Sequence, residues 1–152
     1  MEFGFFKVPQ PVNEPAYEYK PGSVERSLLK KAIATMRSEE IEIPMIIGGE
    51  EVKTGNLVRI HPPHDIEHTL GYYHKGDSRH VQMAIDAALK AKSVWERMPW
   101  ESRAAIFLKA AELLAGPYRA KINAATMLGQ SKNVFQAEID GACELIDFWR
   151  FN

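Results

Sequence analysis

Three histidines lie close together in one Pro-rich stretch of the chain: His61, His64 and His68. Imidazole is a common zinc ligand, and their spacings of three and four match the repeat of a helix. Pro62 and Pro63 prevent a helix there, because proline removes a backbone donor and disfavours helix at the preceding residue. A metal site needs three or four rigidly held ligands. We therefore interpret the stretch as a solvated turn and predict no metal site.

The sequence contains a single cysteine, Cys143, which excludes an internal disulfide and is typical of a reducing compartment. A thiolate could act as a nucleophile, but Cys143 lies inside a predicted helix beside Glu144. A neighbouring carboxylate raises the pKa of a thiol, and no base is adjacent in sequence. We interpret Cys143 as a small residue that packs in the helix.

Four carboxylates are spread along the last predicted helix: Glu138, Asp140, Glu144 and Asp147. Their default interpretation is a solvated helix face, on which Asp147 would pair weakly with Arg150 three residues later. The functional alternative is that one carboxylate points into a cavity. Periodicity alone does not choose between the two.

The element that we predict to organise the chain is a helix from Pro99 to Leu114. Proline suits a first helical turn, and Gly116-Pro117 ends the helix. Its apolar residues recur at steps of four and three and form two adjacent rows: Trp100, Ala104, Phe107, Ala111, Leu114 and Tyr118, with Ile106, Ala110 and Leu113 beside them. We expect Phe107 to lie in the core.

Before this helix, prolines predict an extended arm over residues 1–22, and its aromatic residues need a surface to cover them: Phe3, Phe5, Phe6, Tyr17 and Tyr19. A helix capped by Ser23 follows over 23–38. Residues 43–74 change to strand periodicity, with a hairpin of 43–47 and 50–53 and two further strands at 57–60 and 69–73. Gly48-Gly49 suits the hairpin turn and lacks the G-x-G-x-x-G pattern of a dinucleotide site.

From residue 77 to 152 the pattern is helical. A helix capped by Asp77 or Ser78 extends to Trp95, another spans 118–128, and residues 129–132 form a turn. The last helix begins near Asn133, with one predicted buried row: Phe135, Ile139, Ala142, Ile146 and Trp149. The predicted fold class is α+β, mainly helical with a small antiparallel hairpin sheet.

The composition excludes several classes of protein. Hydrophobic residues make up 45% and charged residues 26% of the 152-residue chain, as in a globular domain. The net charge of −1 gives no electrostatic basis for binding nucleic acid or an anionic membrane. The sequence has no apolar run long enough to span a bilayer, no signal-peptide pattern and too few arginines for a transit peptide. We expect a cytoplasmic protein, with the mitochondrial matrix, after loss of a presequence, as the alternative.

Several stretches carry a resemblance to a known family: Ile-Ile-Gly-Gly-Glu-Glu-Val at 46–52, the helix start at 98–104 and the turn at 127–132. They resemble the amino-terminal portion of the aldehyde dehydrogenase superfamily. Residues 103–111 and 136–152 are more closely similar to its 1-pyrroline-5-carboxylate dehydrogenase branch. The similarity extends from about Pro15 to Asn152.

The resemblance implies an NAD-dependent oxidation of L-glutamate γ-semialdehyde to L-glutamate, as in proline breakdown, through a cysteine nucleophile and a general-base carboxylate. It implies that those catalytic residues and the NAD-binding sheet lie outside the present sequence. Cys143, in Gly-Ala-Cys-Glu-Leu, does not match the nucleophile. The resemblance places Glu144 on the helix that lines the aldehyde entrance.

We therefore expect an amino-terminal fragment without catalytic activity and without NAD binding of its own. Its partners would be the remaining domains of the enzyme, in a homo-oligomer, and its uncovered apolar faces would favour self-association. The rival interpretation is a non-catalytic helical interaction module. The sequence that follows Asn152 would discriminate, because the enzyme continues into a βαβ pattern.

Overall fold

The computed structural model describes residues 4–5 and 7–152. The predicted aromatic positions Phe3 and Phe6 lie outside the described residues. The described residues form six α-helices, one π-helical segment and two small sheets. The helices are α1 Val24–Ser38, α2 Ser78–Arg97, α3 Trp100–Ala115, α4 Arg119–Gln130, α5 Val134–Gln136 and α6 Glu144–Phe151, with the π-helical segment Ala137–Cys143 between α5 and α6. The mainly helical α+β fold class is confirmed.

The strands are β1 Ile41–Ile43, β2 Met45–Ile47, β3 Glu50–Val52, β4 Leu57–Ile60 and β5 Gly71–His74. The predicted hairpin is confirmed: β2 and β3 pair antiparallel, and Gly48 and Gly49 have the positive φ angles of 63° and 90° that the turn requires. The predicted single strand over 43–47 is wrong, because Pro44 interrupts it and cannot donate to a ladder.

The second sheet is mixed, which the sequence did not predict. Its strand order is β1-β5-β4, with β4 and β5 antiparallel and β1 and β5 parallel. The parallel pair joins residues 41–43 to 71–73 and spans the whole hairpin and β4 in sequence. Such long-range pairing leaves no local pattern in the chain.

The helix caps predicted at Ser23 and Asp77 are present in the structure. The Ser23 hydroxyl accepts from the Arg26 N–H at 3.3 Å, and Asp77 forms a capping box with His80. Gly116 ends α3, as predicted. The predicted turn at 129–132 begins later, because α4 continues to Gln130 and Ser131 ends it with a φ of 56°.

The packing centre is α4 rather than the predicted helix α3. Five residues of α4 are buried, Arg119, Asn123, Ala124, Thr126 and Leu128, against two of α3, Ala111 and Leu114. One apolar cluster joins α3 to the π-helical segment and α6 through Ala111, Leu114, Ala142 and Ile146. The other joins the arm and α1 to α4 through Tyr19, Leu29 and Ala124.

The placement of Phe107 in the core is wrong for this chain. Its side chain is 44% exposed and meets the Trp95 ring edge-on at a centroid distance of 6.4 Å. Trp100, Ile106 and Tyr118 are exposed as well, and so are the apolar residues Val81 and Ile85 of α2. Helical periodicity identifies which face of a helix is apolar, but it does not show whether anything in the chain covers that face.

Candidate functional site

Glu138 carries a carboxylate yet is 0% exposed in the described chain, as buried as the neutral Asn123. The prediction of a solvated face is therefore wrong for this residue. Arg119 donates to Glu138 Oε1 through Nη2 at 2.5 Å, and the Tyr17 backbone N–H donates to the same oxygen at 2.7 Å. The Tyr19 hydroxyl and Asn123 Nδ2 each donate to Oε2 at 2.7 Å. Both carboxylate oxygens thus have the partners that burial of a charge demands.

Opposing effects set the pKa of Glu138. Burial alone would raise it, but the Arg119 guanidinium and the donors on Tyr17, Tyr19 and Asn123 outweigh burial and lower the pKa. Burial and the neighbouring Glu138 charge raise the pKa of Tyr19. Glu138 is therefore held as an anion and Tyr19 as a neutral hydrogen-bond donor, which suits a structural ion pair rather than proton transfer.

The amino-terminal arm also takes part in this network, together with α4 and the π-helical segment. Arg119 Nη2 donates to the Pro15 carbonyl at 2.7 Å, and Arg119 Nη1 contacts the Glu14 carboxylate. The guanidinium carbon of Arg119 lies 3.8 Å from the centroid of the Tyr17 ring, as in a cation–π contact. The predicted extended arm is thus fixed mainly by charge and hydrogen bonds, and Tyr19 is the buried one among the aromatic residues of the arm that the structure describes.

The π-helical segment brings Glu138 to Arg119 while α6 packs on α3. It lies against α4 so closely that a Cβ at Gly141 would be 2.7 Å from Thr126 Oγ1. Its wider turn changes which residues face inward, so the predicted buried row is only partly correct. Ala142 and Ile146 are fully buried, whereas Phe135 is 71% exposed, and Ala137, Glu138 and Cys143 are buried instead.

Cys143 is a buried packing residue, as predicted. Its sulfur lies 3.4 Å from Arg119 Nη2, and burial together with the Glu138 charge raises the pKa of the thiol to about 11. The carboxylates that raise this pKa are Glu138 first and then Glu14 and Asp147, rather than the adjacent Glu144. A thiol that is protonated at neutral pH is a poor nucleophile.

Glu144 is exposed at the start of α6, beside a surface depression of about 310 Å³. The lining residues come from the arm and from α6 and its end: Asn13, Glu144, Asp147, Phe148, Phe151 and Asn152. Among the residues that the structure describes, the Glu144 carboxylate has no hydrogen-bond or ion-pair partner. A free carboxylate beside the exposed rings of Phe148 and Phe151 can bind an organic ammonium group.

The predicted pair of Asp147 with Arg150 is replaced by contacts with the arm. Asp147 accepts from Asn13 Nδ2 at 2.9 Å and from the Glu14 N–H at 2.7 Å. Arg150 Nη1 donates to Glu14 Oε2 at 2.6 Å. The fourth predicted carboxylate, Asp140, pairs with Lys132 at the surface.

Two of the three histidines, His61 and His64, have separate hydrogen-bond partners. His64 Nδ1 lies 2.7 Å from Ser131 Oγ, and His61 Nδ1 lies 3.2 Å from the Pro62 carbonyl oxygen. Within the described part of the chain, no group of three or more His, Cys, Asp or Glu residues is arranged to hold a metal ion.

Sequence reasoning missed Arg119 and Asn123, which carry the network from α4. The available signal was a pair of polar residues four apart, on one face of a helix otherwise rich in Ala, Ile and Leu. Such a pair indicates a buried polar contact only when a partner of opposite charge is known, and Glu138 lies nineteen residues further along the chain.

Comparison with known proteins finds similarity to delta-1-pyrroline-5-carboxylate dehydrogenases along nearly the whole chain. The chain is 53% identical over 147 residues to a delta-1-pyrroline-5-carboxylate dehydrogenase of Agaricus bisporus, covering 96% of this chain and 27% of that protein. It is 43% identical over 150 residues to a mitochondrial delta-1-pyrroline-5-carboxylate dehydrogenase of Dictyostelium discoideum, covering 99% of this chain and 27% of that protein. The chain thus spans about a quarter of the length of these relatives.

Solved structures agree with the sequences. The delta-pyrroline-5-carboxylate dehydrogenase of Mycobacterium tuberculosis, bound with NAD and cobalamin, superimposes with a TM-score of 0.95 at 45% identity, over 99% of this chain and 29% of that one. In the described part of this chain, no helix is both long and apolar enough to cross a membrane.

The aldehyde dehydrogenase family model matches residues 50–152, from the hairpin through the π-helical segment to the end of α6. That stretch is more than half of the chain and contains Arg119, Glu138 and Glu144. With its hairpin, its helices and this match together, the chain belongs to the aldehyde dehydrogenase family.

Proposed function

We propose that this chain forms the amino-terminal part of an NAD-dependent dehydrogenase that oxidises L-glutamate γ-semialdehyde, in equilibrium with 1-pyrroline-5-carboxylate, to L-glutamate in proline catabolism. The overall reaction converts the aldehyde, NAD⁺ and water into the carboxylate, NADH and two protons. The observation that supports this proposal is the similarity of nearly the whole chain to dehydrogenases named for that substrate. Family membership also disfavours the rival, a helical interaction module with no enzymatic parent.

The residues of this chain do not form a phosphate cradle for NAD. Gly48 and Gly49 join two antiparallel strands, whereas a dinucleotide site places its glycines between a strand and a helix. Cys143 is buried and protonated, so it does not supply the thiolate. We therefore place the NAD site and the chemical step in the remaining domains of the enzyme, which are the partners of this chain in a homo-oligomer.

The chain alone should neither oxidise glutamate γ-semialdehyde nor bind NAD with useful affinity. Calorimetric titration of the chain with NAD should give no saturable heat, while a complete dehydrogenase of the family serves as the positive control. A saturable signal in the micromolar range would contradict the assignment of the NAD site to the remaining domains of the enzyme.

We assign Glu144 to the substrate entrance, where it attracts the α-ammonium group of the semialdehyde. The support is its free, exposed carboxylate in a depression of small-molecule size. A site that prefers this substrate over simple aldehydes benefits from an anion opposite the ammonium group, because charge-assisted contacts are the strong ones. The contrasting interpretation is a solvated glutamate with no role in binding.

Replacing Glu144 by alanine in a complete dehydrogenase that contains this segment should lower kcat/KM for glutamate semialdehyde by roughly ten- to a hundredfold, the effect of losing a charged contact of about 1.5–3 kcal/mol. An aldehyde without an amine should be affected much less. Glu18→Ala, at an exposed position on the arm, is the control. Equal losses on both substrates would indicate a structural role, and no loss would place Glu144 among the solvated residues.

The cellular compartment of the complete protein stays a prediction. Curated relatives include proteins named as mitochondrial, which supports the matrix rather than the cytoplasm. Fractionation of cells that express the complete protein would decide between the two.

A further inference from the structure

One carboxylate of the arm, that of Glu14, meets two arginines from different helices. Arg119 of α4 contacts Glu14 Oε1, and Arg150 of α6 donates to Glu14 Oε2 at 2.6 Å. The Glu14 side chain is only 7% exposed. A buried carboxylate shared by guanidinium groups of two helices fixes the distance between those helices as well as the position of the arm.

The same part of the arm also holds a carboxylate of α6. The Glu14 N–H and the Asn13 side-chain amide donate to the two oxygens of Asp147, at 2.7 and 2.9 Å. Asn13 and Glu14 therefore engage one negative and one positive residue of α6, three positions apart. We name these four residues, Asn13, Glu14, Asp147 and Arg150, the arm clasp.

The contacts of the arm clasp compete with a direct ion pair between Asp147 and Arg150. Asp147 and Arg150 are at the spacing of three residues at which opposite charges pair along one helix. In the structure the arm takes both partners, and Asn13 becomes a wall of the depression beside Glu144. Without the arm, Asp147 and Arg150 are free to pair with each other, and the depression loses that wall.

We propose that Glu14 is a positioning residue, which holds α6 so that Glu144 and the wall containing Asn13 face the substrate entrance. This inference rests on the proposed function, since it assigns the arm a role at the same entrance. Glu14 makes no contact with substrate in this scheme and acts through Arg150 and Asp147.

Hydrogen–deuterium exchange of the 152-residue chain tests the clasp directly. Glu14→Gln should speed the exchange of α6 amides by roughly ten- to a hundredfold, the range expected for loss of charge-assisted hydrogen bonds. The matched control is Glu18→Gln, which removes the same charge from an exposed arm position paired with Lys20. Amides of α2, on the far side of α3 in sequence, provide the internal reference.

Since Glu14 also partners the buried Arg119, Glu14→Gln could unfold the chain as a whole. Asn13→Ala keeps every charge and removes a single hydrogen bond to Asp147, so it should accelerate exchange in α6 by about two- to tenfold. Faster exchange confined to the arm and α6 in these variants supports the proposal. Unchanged exchange in α6, or an equal increase in α2 and α6 with both variants, overturns it.

In a complete dehydrogenase that contains this segment, Glu14→Gln should raise KM for the semialdehyde several-fold and leave kcat within about twofold. KM for an aldehyde without an amine should stay constant, whereas a merely structural defect would lower kcat for both substrates. The two proposals fail separately. An unchanged kcat/KM in Glu144→Ala rejects the role of Glu144 at the substrate entrance. Unchanged amide exchange of α6 in the Glu14 and Asn13 variants rejects the role of the arm clasp.

Discussion

Replacing Arg119 by methionine is expected to lower the free energy of unfolding by about 3–5 kcal/mol, the cost of removing one partner from a buried ion pair. Methionine fills much of the same space but leaves the buried carboxylate of Glu138 without its cation and that of Glu14 with Arg150 alone. Urea denaturation followed by circular dichroism measures the change.

The matched control for that substitution is Arg97→Met, at an exposed position in the last turn of α2. It should change stability by no more than about 0.5 kcal/mol. If Arg119→Met has no folded baseline at 25 °C, Glu138→Gln supplies a graded measure, because it keeps the size and one acceptor oxygen while removing the charge. A loss below about 1 kcal/mol for both variants would contradict a structural role for the pair.

The effect of Arg119→Met should depend on pH. The pKa of Glu138 is lower in the folded chain than its ordinary value of 4.5, so the ion pair stabilises the fold fully above that value. As pH falls through the lowered pKa, the carboxylate takes up a proton and this stabilisation is lost. The difference in the free energy of unfolding between the wild type and Arg119→Met should therefore become smaller below about pH 4.5.

Replacing Ile146 by alanine is expected to cost about 2–5 kcal/mol, because it leaves a cavity in the cluster that joins α6 to α3. Ile146 is 0% exposed and packs with Ala111, Leu114 and Ala142. The thermal or urea midpoint of the chain should fall accordingly, with helicity retained below the transition.

Phe107→Ala is the informative comparison for Ile146→Ala. Periodicity placed Phe107 in the core, where truncation would cost about 3–5 kcal/mol. In the structure its ring is 44% exposed and has an edge contact with Trp95, so the expected loss is about 1 kcal/mol. A larger loss for Phe107 than for Ile146 would restore α3 as the centre of packing and reject the core described above.

The parts of the fold that follow from local chemistry could be predicted from the sequence. Ser23 and Asp77 cap helices because their side chains accept from backbone N–H groups a few residues away. Gly48 and Gly49 turn the hairpin because they adopt positive φ without steric cost. The interpretation of Cys143 as a packing residue needed only its place in a predicted helix and the lack of an adjacent base.

Tertiary structure decided which faces and charges are buried. Glu138 and Glu144 are chemically identical on one helical stretch, yet Glu138 is enclosed by Arg119, Tyr19 and Asn123 while Glu144 faces solvent. The π-helical segment rotates the inward face between them, which no uniform period of 3.6 residues describes. Likewise, Arg150 pairs with Glu14, 136 positions earlier, instead of its neighbour Asp147. The free energy of such contacts depends on burial and on partners distant in sequence, so the residues that make them are fixed by the sequence but recognised only in the folded chain.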